Sequence, residues 1–390
     1  MSLFVDYAAQ SLFKYGEELC GDKVEFVRTD DFALAVLADG LGSGVKANIL
    51  STLTSKIIAT MLSEGATLDE AIETIASTLP VCSQRGVAYS TFTIVHVAND
   101  GEAYIAEFDN PDLVYLKEGI LTPIDRRTEN IDGKTIHIAN LQLEAGDMLI
   151  TFSDGVVHAG VGSLLDLGWQ YDNIVEYIAE HIRPEMSPTE ASRTLLLAVN
   201  TLYMQKCGDD STVCTLKIKQ SCPVTIMVGP PVDAADDQKV VDELMGTEGK
   251  KVVCGGTTSQ IVSRLTGKEL EVSLDYENPA VPPTAKIDGI DLVTEGVLTL
   301  AKALEIVKNH AEAAEDEWDN YSLQKKDGAT LLARMILEDS TEVKFLVGRA
   351  INPAHQNPGM PINMGIKMSL IKEMKEMIGK LGKKVTVAYY

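Results

Sequence analysis

Two apolar, strand-like runs in this chain stop on an Asp-Gly pair, and a third strand is preceded by two adjacent acids. FALAVLADGLGSG (32–44) reads as a buried strand as far as Asp39-Gly40, then enters a glycine-rich turn ahead of a helix. MLITFSDGV (148–156) repeats the device at Asp154-Gly155, and in GDDSTVCTLKI (208–218) the pair Asp209-Asp210 stands at the margin of the next strand. A carboxylate at a strand end is held rigidly, and a neighbouring glycine lets a backbone carbonyl approach the same ion. Asp-Gly alone is above all a turn signal. The ordered set is far more specific: strand–DGxGSG–helix, then strand–SDG, then GDDST–strand.

Aspartates placed this way suit hard divalent cations such as Mg²⁺ or Mn²⁺, which want oxygen ligands and keep several waters. Two ions about 3.5–4 Å apart can share one carboxylate and one hydroxide, and that hydroxide can attack phosphorus in line. No protein nucleophile is then required.

The elements between these motifs describe a layered α+β unit over residues 1–220. Helical spacing runs from about Val45 to Ser63, and a second helix opens at Thr67 with Glu70 in a capping-box position. Strand signals follow at 91–97, 101–108, 112–119, 135–143 and 147–155, which together suggest an antiparallel meander. Helices at 172–182 and from Ser187 (Pro188 at N1, Glu190 at N3) and a strand at 211–219 close the unit.

The motif order over residues 1–220 resembles the metal-dependent protein phosphatase family, in particular its bacterial stage II sporulation E and RsbX-type branch. GDKVEFVRTDDFALAVLADGLGSG (21–44), YSTFTIVHV and the EFDNP turn (107–111) resemble corresponding segments of that branch. The resemblance implies a central β-sandwich flanked by helices, two Mn²⁺ or Mg²⁺ ions, and a phosphorylated protein as substrate. It further implies that Asp39 bridges both metals, with the Gly40 carbonyl adding a ligand. Asp154 and Asp209 would bind the other ion, with Asp210 as the rival to Asp209, and Asp22 matches the upstream acidic position, directly or through water. The phosphate-binding arginine of larger family members has no clear match here; Arg28 and Lys23 are the nearby cations.

Several residues have plainer readings. His96, His137, His158 and His181 are candidate proton donors to a leaving oxygen, His158 being nearest in sequence to a metal ligand, but isolated histidines are more often surface or core residues. Ser43 reads as a helix cap. The aliphatic stripe along residues 45–62, from Val45 to Leu62, reads as core.

The formal charge of −23 argues against nucleic acid or an anionic membrane surface as partner. No apolar run reaches the about 18 residues of a membrane span. The N-terminus has no leader pattern and the six cysteines form no C-x-x-C or C-x5-R arrangement, so a reducing, cytoplasmic setting without cysteine chemistry is expected.

After Gln220 the pattern changes to strand–helix alternation, which predicts a separate α/β domain, 221–390, with a largely parallel sheet. KKVVCGGTTSQIVSRL (250–265) places Gly255, Gly256, Thr257, Thr258 and Ser259 at a helix start, a candidate anion or small-molecule site. The alternative there is an ordinary capped turn. IDLVTEGVLTLAKAL (290–304) repeats the strand–turn–helix passage through Glu295-Gly296, and 352–365 reads as a long polar loop.

The expected function is hydrolysis of phosphoserine or phosphothreonine in bacterial partner-switching signalling, with the second domain as regulatory or ligand-binding module. The alternatives are a phosphatase-like, non-enzymatic sensor or scaffold, and a phosphatase of a small phosphorylated metabolite.

Overall fold

The computed structural model describes residues 3–29, 31–78, 90–131, 134–272, 282–312, 323, 325–350 and 362–390. The chain divides into two compact units, Met1–Gln220 and Ser221–Tyr390.

The first unit opens with β1 (Leu3–Leu12), β2 (Asp22–Arg28), β3 (Phe32–Gly40), α1 (Gly44–Ser63) and α2 (Leu68–Thr78). Strands β4 (Ser90–Ala98), β5 (Glu102–Phe108), β6 (Val114–Lys117), β7 (Ile120–Thr122), β8 (Arg127–Ile131), β9 (Lys134–Gln142) and β10 (Met148–Phe152) follow. The unit ends with α3 (Asp154–Val157), α4 (Tyr171–His181), α5 (Pro188–Leu202) and β11 (Ser211–Gln220). One sheet has the order β1-β11-β10-β6-β7 and the other β2-β3-β4-β5-β9-β8.

These sheets form a sandwich because β3 is apolar on both sides. Ala33 and Ala35 face a core shared with Val5, Leu149, Cys214, Leu216 and Ile218 of the other sheet. Leu34, Val36 and Ala38 instead pack on Ile58, Leu62, Ile72 and Ile75 of α1 and α2. The second sheet buries its outer face, including Met148, Ile150 and Phe152, under Ile174, Ile178, Leu195 and Val199 of α4 and α5. The result is two central sheets with helices outside, the α+β architecture expected.

Two details differ from the sequence reading. The strands at 112–119 and 147–155 do not continue a single meander with their neighbours: β6 and β10 pair in one sheet, whereas β4, β5 and β9 pair in the other. A period-2 pattern marks a strand but carries no label for its sheet. The aliphatic stripe of α1 is core only in part: Ile58, Ala59 and Leu62 are buried, whereas Val45, Ile49, Leu53 and Ile57 are 63%, 52%, 54% and 40% exposed. Over its first three turns the buried face holds small residues instead, Ala47, Ser51, Thr54 and Ser55. They let the helix backbone approach the sheet so closely that a Cβ on Gly40 would lie 2.1 Å from the Ala47 carbonyl oxygen.

Caps at the other helices follow the sequence. Thr67 and Glu70 exchange the two bonds of a capping box, as do Ser187 and Glu190. Ser43 does not cap α1; its hydroxyl donates to Glu17 at 3.0 Å.

The second unit contains β12 (Pro223–Val228), α6 (Asp237–Gly246), β13 (Lys250–Cys254), α7 (Gly256–Thr266), β14 (Glu271–Val272), β15 (Ala285–Ile287) and β16 (Ile290–Thr294). It continues with α8 (Val297–Glu312), α9 (Gly328–Arg334), β17 (Glu342–Val347), α10 (Ile362–Lys380) and β18 (Lys384–Tyr389). The sheet order is β14-β15-β16-β13-β12-β17-β18. Its five strands from β16 to β18 are parallel, and β14 and β15 add an antiparallel margin. Helices α6 and α7 cover one face through Val240, Leu244 and Val262. The other face lies under α8, α9 and α10 through Leu304, Ala333, Ile371 and Ile378. This is a doubly wound, largely parallel sheet. Of the polar loop expected at 352–365, residues 352–361 fall outside the described residues and Ile362 already opens α10.

Candidate metal centre

The first unit brings its aspartates together from segments far apart in sequence. Asp22, the first residue of β2, stands directly opposite Asp39 near the end of β3 in the antiparallel register. Asp154 begins α3, one residue after Ser153 leaves β10, and its carboxyl comes within hydrogen-bonding reach of Asp39. Asp209 arrives on the loop before β11, close enough for its charge to act on both Asp39 and Asp154.

Ser153 locks the arrangement. Its hydroxyl donates to Asp22 Oδ2 at 2.7 Å and accepts from the Thr212 amide at 2.9 Å, tying the end of β10 to β2 and β11. Gly155 must be a glycine for the same reason: a Cβ there would lie 1.9 Å from the Asp210 carbonyl oxygen. The approach is completed by Tyr203, whose hydroxyl donates to the Gly155 carbonyl at 2.8 Å.

The adjacent acids at 209 and 210 divide their tasks. Asp210 is buried and spends both carboxylate oxygens on backbone, accepting from the Lys14 amide at 3.0 Å and the Gly21 amide at 2.9 Å. It pins the chain segments leading into β2 and β11. Asp209 keeps its side chain half exposed, beside the Lys14 ammonium at 3.5 Å.

Electrostatics at this cluster run in one direction. Burial, and after it the charges of Asp22 and Asp154, push Asp39 far above the usual carboxylate range. Burial also raises Asp22, against the hydrogen bonds from Ser153 and Thr212 that favour its charged form. Asp209 is raised by burial, and the Lys14 charge opposes the shift. Like charges in a poorly hydrated site demand either protons or a cation, and a dication reverses the local preference for protons. Asp22 Oδ1 is buried with no partner, an acceptor left over for a water or an ion. Among the described residues no group of three or more His, Cys, Asp or Glu side chains is placed to hold a metal ion by itself. The donor set therefore fits a hard cation that takes a few carboxylates and retains water.

Other candidates lie elsewhere or do other work. Arg28 stacks its guanidinium 3.8 Å from the Phe4 ring and donates to the Val5 carbonyl, so it supports β1. Lys23 follows Asp22 in a strand and so points to the opposite face. The cation at the cluster is Lys14, which the sequence reading missed because no motif contains it. His158 ends α3 with an exposed ring, His96 packs on Phe32 at 4.5 Å, and His181 stacks on Tyr177 at 4.0 Å. His137 Nδ1 sits 3.3 Å from the Thr128 hydroxyl. In the EFDNP turn, buried Glu107 accepts from the Leu113 amide and from Arg126, which makes this segment a structural brace.

Residues 29–219 match the family model described as Stage II sporulation protein E (SpoIIE). That match spans most of the first unit and just under half of the chain, and likens the unit to SpoIIE-type phosphatases. No curated protein matches the chain. Among solved structures, the SpoIIE phosphatase domain with a fragment of its regulatory domain, from Bacillus subtilis, is 22% identical, with a TM-score of 0.48. That match covers 57% of this chain and 65% of the other. RsbX in complex with magnesium is 19% identical over 55% of this chain and 96% of the other, TM-score 0.40. The RsbU and RsbW domains of a Mycobacterium tuberculosis protein are 16% identical over 62% and 68%, TM-score 0.44. No helix among the described residues is long and apolar enough to cross a membrane.

In the second unit, the five residues singled out by sequence do not act alike. Thr257 is exposed, Ser259 turns its hydroxyl back onto the Gly256 carbonyl at 2.8 Å, and Thr258 is buried.

Proposed function

We propose that the SpoIIE-type unit hydrolyses phosphoserine and phosphothreonine on a protein substrate, with two Mn²⁺ or Mg²⁺ ions held by Asp39, the Gly40 carbonyl, Asp154 and Asp209, and Asp22 behind them. The observation that carries this reading is the convergence of Asp22, Asp39, Asp154 and Asp209, with Asp22 Oδ1 left unpartnered. Bound divalent cations would supply an acidified water as nucleophile and offset charge on the phosphoryl oxygens. The chain's own part is to hold the carboxylates in place through Ser153, Asp210 and the close backbone approaches at Gly40 and Gly155. Lys14, beside Asp209, offers a positive charge to the incoming phosphate.

Likeness to SpoIIE-type proteins supports a substrate in bacterial partner-switching signalling, and the free thiols at Cys20, Cys214, Cys222 and Cys254 suit a cytoplasmic setting. Phosphate release from a phosphopeptide, measured with Mn²⁺ and with Mg²⁺, tests the reading. The parent protein should turn over, and Asp154→Asn should lose about a hundredfold or more, several kcal/mol of transition-state stabilisation being at stake. A parent protein inert with both metals on several phosphopeptides would overturn it, and turnover confined to small phosphorylated metabolites would replace the substrate class.

A further inference from the structure

Two helices of the second unit start side by side at the carboxyl edge of its parallel sheet. Strands β13 and β16 are neighbours; β13 ends at Cys254 before α7, and β16 ends at Thr294 before α8. The Gly255 amide donates to the Thr294 carbonyl at 2.9 Å, and a Cβ on Gly296 would lie 3.5 Å from Gly255 Cα, so the two turns touch. Gly255 begins α7 at φ 121° with no side-chain cap. Gly296, whose carbonyl accepts from Leu300 at the start of α8, has no side chain to cap with. The first-turn amides of an 11-residue and a 16-residue helix thus meet at one edge without a capping side chain from either glycine.

A second observation at this edge is independent of the helix ends. Thr258 Oγ1, Thr299 Oγ1 and Glu295 Oε2 are buried atoms without a hydrogen-bond partner among the described residues. Thr258 is 1% exposed and Thr299 0%. Thr258 Oγ1 lies over the turn, 3.0 Å from where a Gly255 Cβ would be. The Glu295 carboxylate comes near enough to Cys254 for its charge to be felt there. Folded proteins leave few buried polar atoms unpaired, so three on adjacent turns mark a place that something else fills. In doubly wound sheets, ligands bind outside the carboxyl ends of the strands.

The chemistry of the three groups narrows the occupant. Amides and hydroxyls donate to an anion, whereas the Glu295 oxygen wants a donor and repels a bare anion. A simple polyol would bring no negative charge to the two helix starts, and inorganic phosphate could donate to Glu295 only from an anion that its carboxylate repels. We propose that this edge binds a small molecule carrying both a phosphate and sugar-type hydroxyls. The phosphate lies on the first turns of α7 and α8 with the Thr258 and Thr299 hydroxyls, and a ligand hydroxyl donates to Glu295.

Titration calorimetry on the full chain with chelator present, using inorganic phosphate, ribose, ribose 5-phosphate and AMP, tests this. Ribose 5-phosphate or AMP should bind saturably and more tightly than either phosphate or ribose, the tighter of the two telling a sugar phosphate from a nucleotide. Thr258→Val and Thr299→Val should each weaken that binding about tenfold. Glu295→Gln should weaken the phosphorylated sugars and leave inorganic phosphate unchanged or tighter. Because neither threonine hydroxyl has a partner among the described residues, both valine variants should keep their ligand-free melting temperature, which separates lost binding from lost folding. Asp39→Asn should bind as the parent does, which separates this edge from the acidic cluster. Absence of saturable binding by all four probes, binding by inorganic phosphate alone, or full binding by Thr258→Val would overturn the proposal.

Discussion

Both units put polar side chains where a strand gives way to a helix, but they furnish those margins with opposite chemistry. In the first, Asp39 and Asp154 join Asp22 and Asp209, and burial together with mutual repulsion pushes several of them toward protons. In the second, Thr258, Thr299 and two helix starts preceded by glycine present donors, with the Glu295 carboxylate as acceptor. A strand–turn–helix passage is therefore only a platform. The residues stocked on it decide whether it draws a cation or an anion, which is why a shared backbone device supports no shared function.

The sharpest way to break this picture lies inside the acidic pair. Asp209→Asn removes a half-exposed carboxylate from the cluster and should cut metal-dependent phosphate release by about two orders of magnitude. Its melting temperature should hardly move. Asp210→Asn strikes a carboxylate that accepts from two backbone amides, so it should lower unfolding free energy by about 1–3 kcal/mol. The variant that remains folded should keep most of its turnover. Denaturant unfolding and phosphate release on both variants check this, and the opposite pattern would exchange the roles of the two residues.

The glycines at the two margins supply a second contrast. A Cβ on Gly155 would meet the Asp210 carbonyl at 1.9 Å, whereas one on Gly256 would have nothing within 4 Å. Gly155→Ala should therefore cost about 1–3 kcal/mol, because the neighbour is backbone that must move. Gly256→Ala should stay within about 0.5 kcal/mol. Equal costs would mean that the first margin is looser than its geometry implies.

How much of this was legible in the sequence follows from the same contrast. The carboxylates were visible because Asp39, Asp154 and Asp209 sit on short motifs in a fixed order, and the sandwich was implied by the resemblance those motifs carry, strand content alone giving a layered α+β unit. Lys14 was not, since a residue brought beside Asp209 from nearly two hundred positions away leaves no local trace. The exposed stripe of Val45, Ile49, Leu53 and Ile57 was misread because periodicity finds an apolar face without saying which face turns inward. Small residues decided it, as only they allow α1 to lie against Gly40. In the second unit the Gly-Gly turn was visible, but the partner turn at Glu295-Gly296 gained meaning only once parallel pairing set β13 beside β16.

The smallest expected effect concerns pH, and it belongs to the first unit. His96 is half-buried, its ring 4.5 Å from that of Phe32, and burial lowers its pKa from the ordinary value. The unfolded chain therefore takes up this proton more readily than the native protein does. Above the unfolded value of about 6.5 the histidine is neutral in both states and costs nothing. As pH falls from there toward the lowered native value, the unfolded state gains protons first and stability declines. His96→Phe keeps an aromatic ring at the site and removes the titration. Melting temperatures compared at pH 5 and pH 7.5, with chelator present throughout, should show a smaller acid-side drop in the variant than in the parent. An equal drop in both would mean that His96 titrates in the folded unit as freely as in the unfolded chain, and would assign the acid sensitivity to other groups.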